Sequence, residues 1–288
     1  MHSTEPVRAP DTRERSSVDV GGHAISYQRG GAGVPLLLIA GTGYPGGTWH
    51  PDLVEALAAR HTVVTFDHRG TGATAPAPDR YSTQLFARDA LGILDTLALQ
   101  PAHVVGHSMG GRVAQWMALE RPDRVRSLVL AATGPGQFRA DRPVTRGVPV
   151  HVVLELIDKG YERYMRDHMA ATFFTPEFAR DHPDVVAWLH DAFWRNRPDL
   201  ENYLRHVVAR QEHQTADRLA EIRVPTLVLV GDRDTAVMGT GAHTEQSDYL
   251  AEHIPGAMKR LIPGSAHGYF WQDPKRTIEV LLEWTATH

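Results

Sequence analysis

The sequence predicts an α/β protein with a mostly parallel, eight-stranded β-sheet that helices cover on both faces and that an inserted helical segment interrupts. Short apolar runs of the kind found in buried parallel strands recur along the chain. Segments with helical periodicity separate most of them, as expected because parallel neighbours need crossover connections. The alternation stops between about residues 136 and 220, where no clear strand is present and methionine and aromatic residues are frequent.

The predicted elements follow in a regular order. Alternating apolar residues on either side of Gly21-Gly22 indicate an opening hairpin, with strands at 18–20 and 24–27. Buried strands are then predicted at 36–40, 62–66, 103–106, 127–131, 226–230 and 259–262. Helices are predicted at 51–59, 83–97, 109–120, 243–253 and 274–285. We therefore assign residues 1–17 to a flexible tail, 18–135 and 221–288 to the α/β core domain, and 136–220 to a helical cap.

Composition and charge exclude several classes of function. The 30 Lys and Arg residues against 34 Asp and Glu give a net charge of −4, without the basic field that nucleic acid or an anionic membrane would require. The absence of cysteine excludes disulfides, thiolate metal sites and a cysteine nucleophile. The first seventeen residues lack the apolar run of a signal peptide or membrane span, so we expect a cytoplasmic protein.

A Gly-x-Ser-x-Gly pattern, Gly106-His107-Ser108-Met109-Gly110, lies between a predicted strand and a predicted helix. A serine on such a tight turn presents its hydroxyl away from both elements, and the flanking glycines avoid a steric clash. Ser108 is therefore the candidate nucleophile. The backbone N–H of Met109, directly after it, is a candidate donor to the oxyanion of an acyl-transfer reaction.

A serine nucleophile needs a base and a carboxylate that orients the base. One later strand runs into residues 231–234, which include Asp232 and Asp234, and the next runs into a loop that contains His267. The carboxyl ends of parallel strands meet at one edge of a sheet, so these side chains are expected near Ser108. The chain order Ser, Asp, His is that of folds with a nucleophile elbow, and either aspartate satisfies it.

From about Val18 to the C-terminus, the chain resembles the α/β-hydrolase family, in particular its esterase and lactonase branch with a helical lid. The motifs behind the resemblance are residues 106–111, 67–72, 231–234 and 265–268. The resemblance implies that Ser108 is the nucleophile, His267 the base and Asp234, rather than Asp232, the acid. It also implies that the inserted segment is a lid and that the turn containing Asp67 and Arg69 is structural.

The resemblance implies that a second oxyanion donor lies in the glycine-rich loop at 40–49. Many relatives carry His-Gly where this chain has Ala40-Gly41, and the backbone N–H of Thr42 is the implied donor, with Gly43 as the alternative. An insertion between two strands lies near the ligand-binding edge of the sheet, so its apolar residues are also expected to roof a pocket. The candidate pocket residues are Gly41, Gly43, His107, Met165, Met169, Phe173 and Trp194.

These residues favour a cofactor-free serine hydrolase that cleaves a small-to-medium carboxylic ester or lactone through an acyl-enzyme. The lid composition favours an apolar or aromatic small-molecule substrate. The sequence contains no metal-ligand motif such as His-Glu-x-x-His. It is compatible with both a monomer and a homodimer. Dehalogenases and epoxide hydrolases of this fold use an aspartate at the elbow, which disfavours both activities. The alternatives are a carbon–carbon bond hydrolase, an enol-lactonase, a thioesterase, a perhydrolase, or a small-molecule receptor that retains the triad.

Overall fold

A computed structural model describes residues 15–99, 101–144, 146–235 and 241–288. It confirms the predicted eight-stranded, mostly parallel sheet, whose strand order is β1-β2-β4-β3-β5-β6-β7-β8. The first two pairings are antiparallel and the other five are parallel. The strands are β1 (Arg15–Val20), β2 (His23–Gly30), β3 (Val34–Ile39), β4 (His61–Phe66), β5 (Ala102–His107), β6 (Val125–Ala131), β7 (Thr226–Gly231) and β8 (Met258–Ile262).

The first strand begins earlier than the sequence indicates. Residues 15–17, which the sequence analysis assigns to the tail, pair with β2 from Arg15↔Gln28 to Ser17↔Ser26. Polar side chains are compatible with this edge strand because all three of these residues are exposed. The remainder of the predicted tail, 1–14, lies outside the described residues.

Helices cover the sheet, and five of them, α4 to α8, lie between β6 and β7. No described residue between 136 and 220 belongs to a strand. No helix in the described ranges is long and apolar enough to cross a membrane. The helices are α1 (Pro51–Ala58), α2 (Thr83–Thr96), α3 (Met109–Glu120), α4 (Val150–Lys159), α5 (Tyr161–Phe173), α6 (Pro176–Asp181), α7 (Pro183–Arg195), α8 (Leu200–Gln211), α9 (His243–His253), α10 (Tyr269–Gln272) and α11 (Pro274–Thr287).

The central strand β3 shows why both faces of the sheet are buried. Leu36 and Leu38 pack into one hydrophobic cluster, whereas Leu37 and Ile39 pack into another. Successive side chains of a strand point to opposite faces, so a continuous apolar run supplies both clusters at once. The first cluster also includes buried residues of the helices between β6 and β7, so those helices share a core with the sheet.

A buried ion pair fastens the loop after β4 to α2. Arg69 donates from Nε and Nη2 to the two carboxylate oxygens of Asp89, both at 2.8 Å, and from Nη1 to Asp79 at 3.0 Å. We expect Asp89→Ala to lower the free energy of unfolding by about 3 kcal/mol, because it leaves a buried guanidinium without its main partner. Denaturant titration checks this, with Glu283→Ala at the exposed Arg260–Glu283 pair as the control, for which less than about 1 kcal/mol is expected. Equal losses in the two variants would contradict the prediction.

Candidate active site

Ser108 lies at the junction of β5 and α3 in a backbone conformation that few non-glycine residues adopt. Its φ is 56° and its ψ is −118°. Such a conformation costs about 1–3 kcal/mol and persists only where the surroundings hold it. Here the Ser108 N–H donates to the Ala131 carbonyl at 2.8 Å, and its own carbonyl accepts from Thr133 Oγ1 at 2.7 Å. The neighbouring strand β6 and the residues after it therefore hold the elbow in place.

The glycines that flank Ser108 are required by close backbone contacts. A Cβ atom at Gly110 would lie 2.1 Å from the Ile39 carbonyl oxygen, and one at Gly106 would lie 2.3 Å from the Gly110 carbonyl oxygen. Real Cβ atoms do not approach backbone oxygens this closely, so the turn can only form with glycine at both positions. The Gly-x-Ser-x-Gly pattern is thus a packing requirement of this strand-to-helix junction.

Asp234 and His267 follow β7 and β8 and are hydrogen-bonded to each other. The Nδ1 atom of His267 lies 2.8 Å from Oδ2 of Asp234, and both side chains are buried. A backbone bond of 2.9 Å from Arg233 N to the Ser265 carbonyl links the two loops. Because a carboxylate can only accept, Nδ1 of His267 carries the proton, and Nε2 is left as the basic nitrogen.

His243, the first residue of α9, is a second partner of Asp234 that the sequence analysis did not identify. Its Nδ1 lies 3.1 Å from Oδ1 of Asp234, and its ring stacks on that of His267 at 4.4 Å. Burial alone would raise the pKa of Asp234, but the two imidazoles and their hydrogen bonds lower this pKa far below its usual value. Asp234 is therefore ionised across the working range of pH.

The same three side chains are spaced to suit a metal ion, since the ligand atoms of Asp234, His243 and His267 lie within 4.8 Å of one another. In the structure each Nδ1 atom faces its own oxygen of Asp234. The carboxylate thus serves as an acceptor for both rings. Burial lowers the pKa of His243 although Asp234 opposes this, so His243 is neutral at neutral pH and donates its Nδ1 proton.

A small cavity, about 20 Å³, brings Ser108 and His267 to a common space. This volume corresponds to roughly one water molecule. The hydroxyls of two residues in its wall, Thr42 and Tyr44, are buried and have no hydrogen-bond partner among the described residues. Unpaired buried polar groups are rare in proteins, and these two hydroxyls are available to a polar ligand. The lining residues are Gly41, Thr42, Tyr44, Ser108, His168, Thr172, Phe173, Tyr203, Arg210 and His267.

Residues 34–274 match the family model of the alpha/beta hydrolase fold. The chain belongs to the α/β-hydrolase family. It is 34% identical to a protein of Azorhizobium caulinodans named "Putative carbamate hydrolase RutD", over 91% of this chain and 95% of that protein. It is 44% identical to the "Putative non-heme bromoperoxidase BpoC" of Mycobacterium tuberculosis, over 91% of this chain and 98% of that protein. The enol-lactonase of Burkholderia xenovorans LB400 shares the fold, with a TM-score of 0.81, 23% identity and coverage of 94% of this chain and 100% of that chain.

Three of the predicted binding residues of this α/β hydrolase lie in the cavity wall: Gly41, Thr42 and Phe173. Gly41 is close to the elbow, since a Cβ atom there would lie 3.3 Å from Cβ of Ser108. The predicted oxyanion donor Met109 is the first residue of α3, where backbone N–H groups have no partner within the helix. The loop after β3 and the start of α3 thus approach Ser108 from two sides.

The other predicted pocket residues of the hydrolase do not belong to the wall of this cavity. Met165 and Met169 are fully buried within the hydrophobic core. Trp194 stacks under the Arg197 guanidinium at 3.8 Å. His107 donates from Nε2 to the His267 carbonyl at 3.0 Å, and burial lowers its pKa well below the usual value.

Gly43, the last of these predicted residues, packs behind the wall rather than in it. A Cβ atom at Gly43 would lie 2.8 Å from the Tyr203 ring, so the loop after β3 contacts α8 directly. Tyr203 itself lines the cavity. The contribution of Gly43 is therefore to let α8 approach the loop.

A larger cleft of about 680 Å³ adjoins the small cavity that contains Ser108 and His267. It is lined mainly by α4, α5 and α8. Four residues border both spaces, and the sequence analysis identified none of them as site residues. They are His168, Thr172, Tyr203 and Arg210.

Proposed function

We propose that this α/β hydrolase cleaves a small-to-medium carboxylic ester or lactone through an acyl-enzyme on Ser108. The observation that carries the proposal is that Ser108, on its strained elbow, and His267, bonded to the buried Asp234, border one cavity. Ser108 Oγ attacks the carbonyl carbon while Nε2 of His267 takes its proton and passes it to the departing oxygen. Water then attacks the acyl-enzyme by the same route and releases the acid.

The oxyanion formed in each step is proposed to bind the backbone N–H groups of Met109 and Thr42. Met109 begins α3, where the helix dipole favours negative charge. Thr42 and Ser108 both line the cavity wall. Two preorganised donors of this kind are together worth several kcal/mol of transition-state stabilisation.

Residues 136–220 are proposed to form a cap domain that closes this site, while 18–135 and 221–288 form the core domain. The cap supplies Phe173, Tyr203 and Arg210 to the cavity. It is also tied to the loop of the proposed base, because Gly268 N donates to the Phe173 carbonyl at 2.7 Å. A movement of α5 would therefore shift the loop that contains His267.

Product analysis on a substrate panel tests the proposed function. The panel contains matched esters, lactones, carbamates, thioesters and diketones, and each is assayed with the wild type and with Ser108→Ala. We expect kcat/KM for esters or lactones to exceed that for the other classes at least tenfold, and a serine-directed phosphonate to label Ser108 once per chain. Chelator treatment is expected to leave the rate unchanged, which tests whether Asp234, His243 and His267 require a metal ion.

Other outcomes of the panel would replace the proposal. Faster cleavage of carbamates would extend to this chain the activity in the name of the Azorhizobium relative. Preference for diketones or thioesters would indicate a carbon–carbon bond hydrolase or a thioesterase on the same residues. Thermal stabilisation by ligands without any product would indicate a receptor.

A further inference from the structure

Arg210, near the end of α8, borders both the catalytic cavity and the larger cleft. None of the described residues offers its guanidinium a carboxylate or another hydrogen-bond acceptor. The carboxylates in the cleft wall form ion pairs with Lys159, whose Nζ lies 3.1 Å from Glu155 and 3.4 Å from Asp167. Arg210 is thus a cation without a carboxylate partner in the wall of the cavity that contains Ser108.

The groups around Arg210 do not compensate its charge. Burial raises the pKa of both Tyr203 and Tyr164, so these phenols remain neutral. Burial, together with the charges of Arg210 and His267, lowers the pKa of His168 to about 4, so this imidazole is neutral as well. Arg210 is partly buried, and a guanidinium without a carboxylate partner at such a position is a site at which an anionic ligand can form a charge-assisted pair.

We infer that the substrate carries a carboxylate that pairs with Arg210 while its ester or lactone carbonyl lies at Ser108. The inference rests on the proposed function and narrows its substrate class. A planar carboxylate matches the fork of a guanidinium in a bidentate pair. The unpaired hydroxyls of Thr42 and Tyr44, in the wall of the same cavity, are further donors for a polar substrate.

The size of the cavity restricts the spacing of the two substrate groups. Arg210 and Ser108 both border the same small cavity, so a short chain is expected to separate the carboxylate from the reacting carbonyl. Monoesters of short dicarboxylic acids meet this condition. The rest of the substrate would extend into the larger cleft.

Two p-nitrophenyl esters of equal acyl length test the inference: the glutarate monoester, which carries a carboxylate, and the neutral valerate ester. We expect Arg210→Met to lower the ratio of their kcat/KM values, glutarate over valerate, by about tenfold to a hundredfold, mostly through KM. Arg210→Lys should recover part of the loss. Arg163→Met, which removes an exposed arginine of α5 outside the cavity wall, is the control and should keep the wild-type ratio.

Binding to the Ser108→Ala variant separates this inference from the proposed function. We expect calorimetry to detect glutarate binding to Ser108→Ala, and Arg210→Met in the same background to abolish it. If the wild type turns over neither ester but this binding pattern holds, the proposed function fails and the carboxylate site stands. An unchanged ratio in Arg210→Met, absent glutarate binding, or tighter binding of inorganic phosphate than of glutarate would each overturn the inference.

Discussion

Ser108→Ala should abolish turnover of the best ester or lactone, with kcat falling about 10⁴-fold or more and KM changing little. In the proposed mechanism the hydroxyl forms the covalent bond, and neither His267 nor the oxyanion donors can replace it. The remaining rate would reflect only the oxyanion donors and substrate binding. Steady-state kinetics, with the p-nitrophenyl ester series as substrates, give the measurement.

The loss in Ser108→Ala should not come from unfolding. The hydrogen bonds that hold the elbow are made by the backbone of Ser108, not by its side chain. Alanine at this position would adopt the same φ of 56° at a similar energetic cost. Ser26→Ala is the control, because it removes the buried, unpaired hydroxyl of a serine in β2, outside the cavity wall. We expect both variants to melt within a few degrees of the wild type. Retention of more than a tenth of the wild-type kcat by Ser108→Ala would contradict the covalent mechanism.

The sheet and the elbow could be predicted because short-range sequence determines them. A run such as Leu36-Leu37-Leu38-Ile39 must bury both of its faces, and in the structure it does. Glycine on either side of Ser108 is required by contacts within a few residues and with the neighbouring strand. The positions of Asp234 and His267 follow from the parallel order of the strands that precede them.

The segment between β6 and β7 could be predicted as helical, but its contacts with the candidate site could not. Helical periodicity shows which residues share a face, not whether that face meets the core or a cavity. Met165 and Met169 were predicted for the pocket and lie in the core, whereas Arg210 and His168 line the cavity without a local signal. His243 is one of 17 histidines, and only the path of the chain after β7 brings it to Asp234.

The protein should lose stability steeply between about pH 6.5 and pH 4, because it buries several histidines in the neutral state. Burial is the largest cause in each case, and for His68 the nearby His206 adds to the effect. The pKa falls to about 3 for His68 and to about 4 for His103, His168 and His206.

The sign follows from the protons bound in each state. Below about pH 6.5 the unfolded chain protonates these histidines, whereas the folded chain does not until the pH approaches 4. The free energy of unfolding is therefore fully retained above pH 6.5 and falls as the pH drops, by up to about 1.4 kcal/mol per pH unit for each such histidine. Carboxylates in the unfolded chain titrate near pH 4, so a loss already present at pH 5.5 belongs to histidine.

Urea unfolding at pH 7.5, 6.5, 5.5 and 4.5 measures this dependence, and one histidine can be isolated from the rest. His206 is buried against Phe86, with ring centroids 4.9 Å apart, and donates from Nε2 to the Arg69 carbonyl at 2.9 Å. Glutamine can keep a donor there without titrating. His206→Gln should therefore reduce the slope of the free energy of unfolding against pH by the equivalent of about one proton, although the variant is less stable at pH 7.5. The exposed His253, changed to glutamine in the same way, should leave the slope as it is. A free energy of unfolding that stays constant from pH 7.5 to pH 5 would mean that the buried histidines gain protons as readily in the folded chain as in the unfolded one.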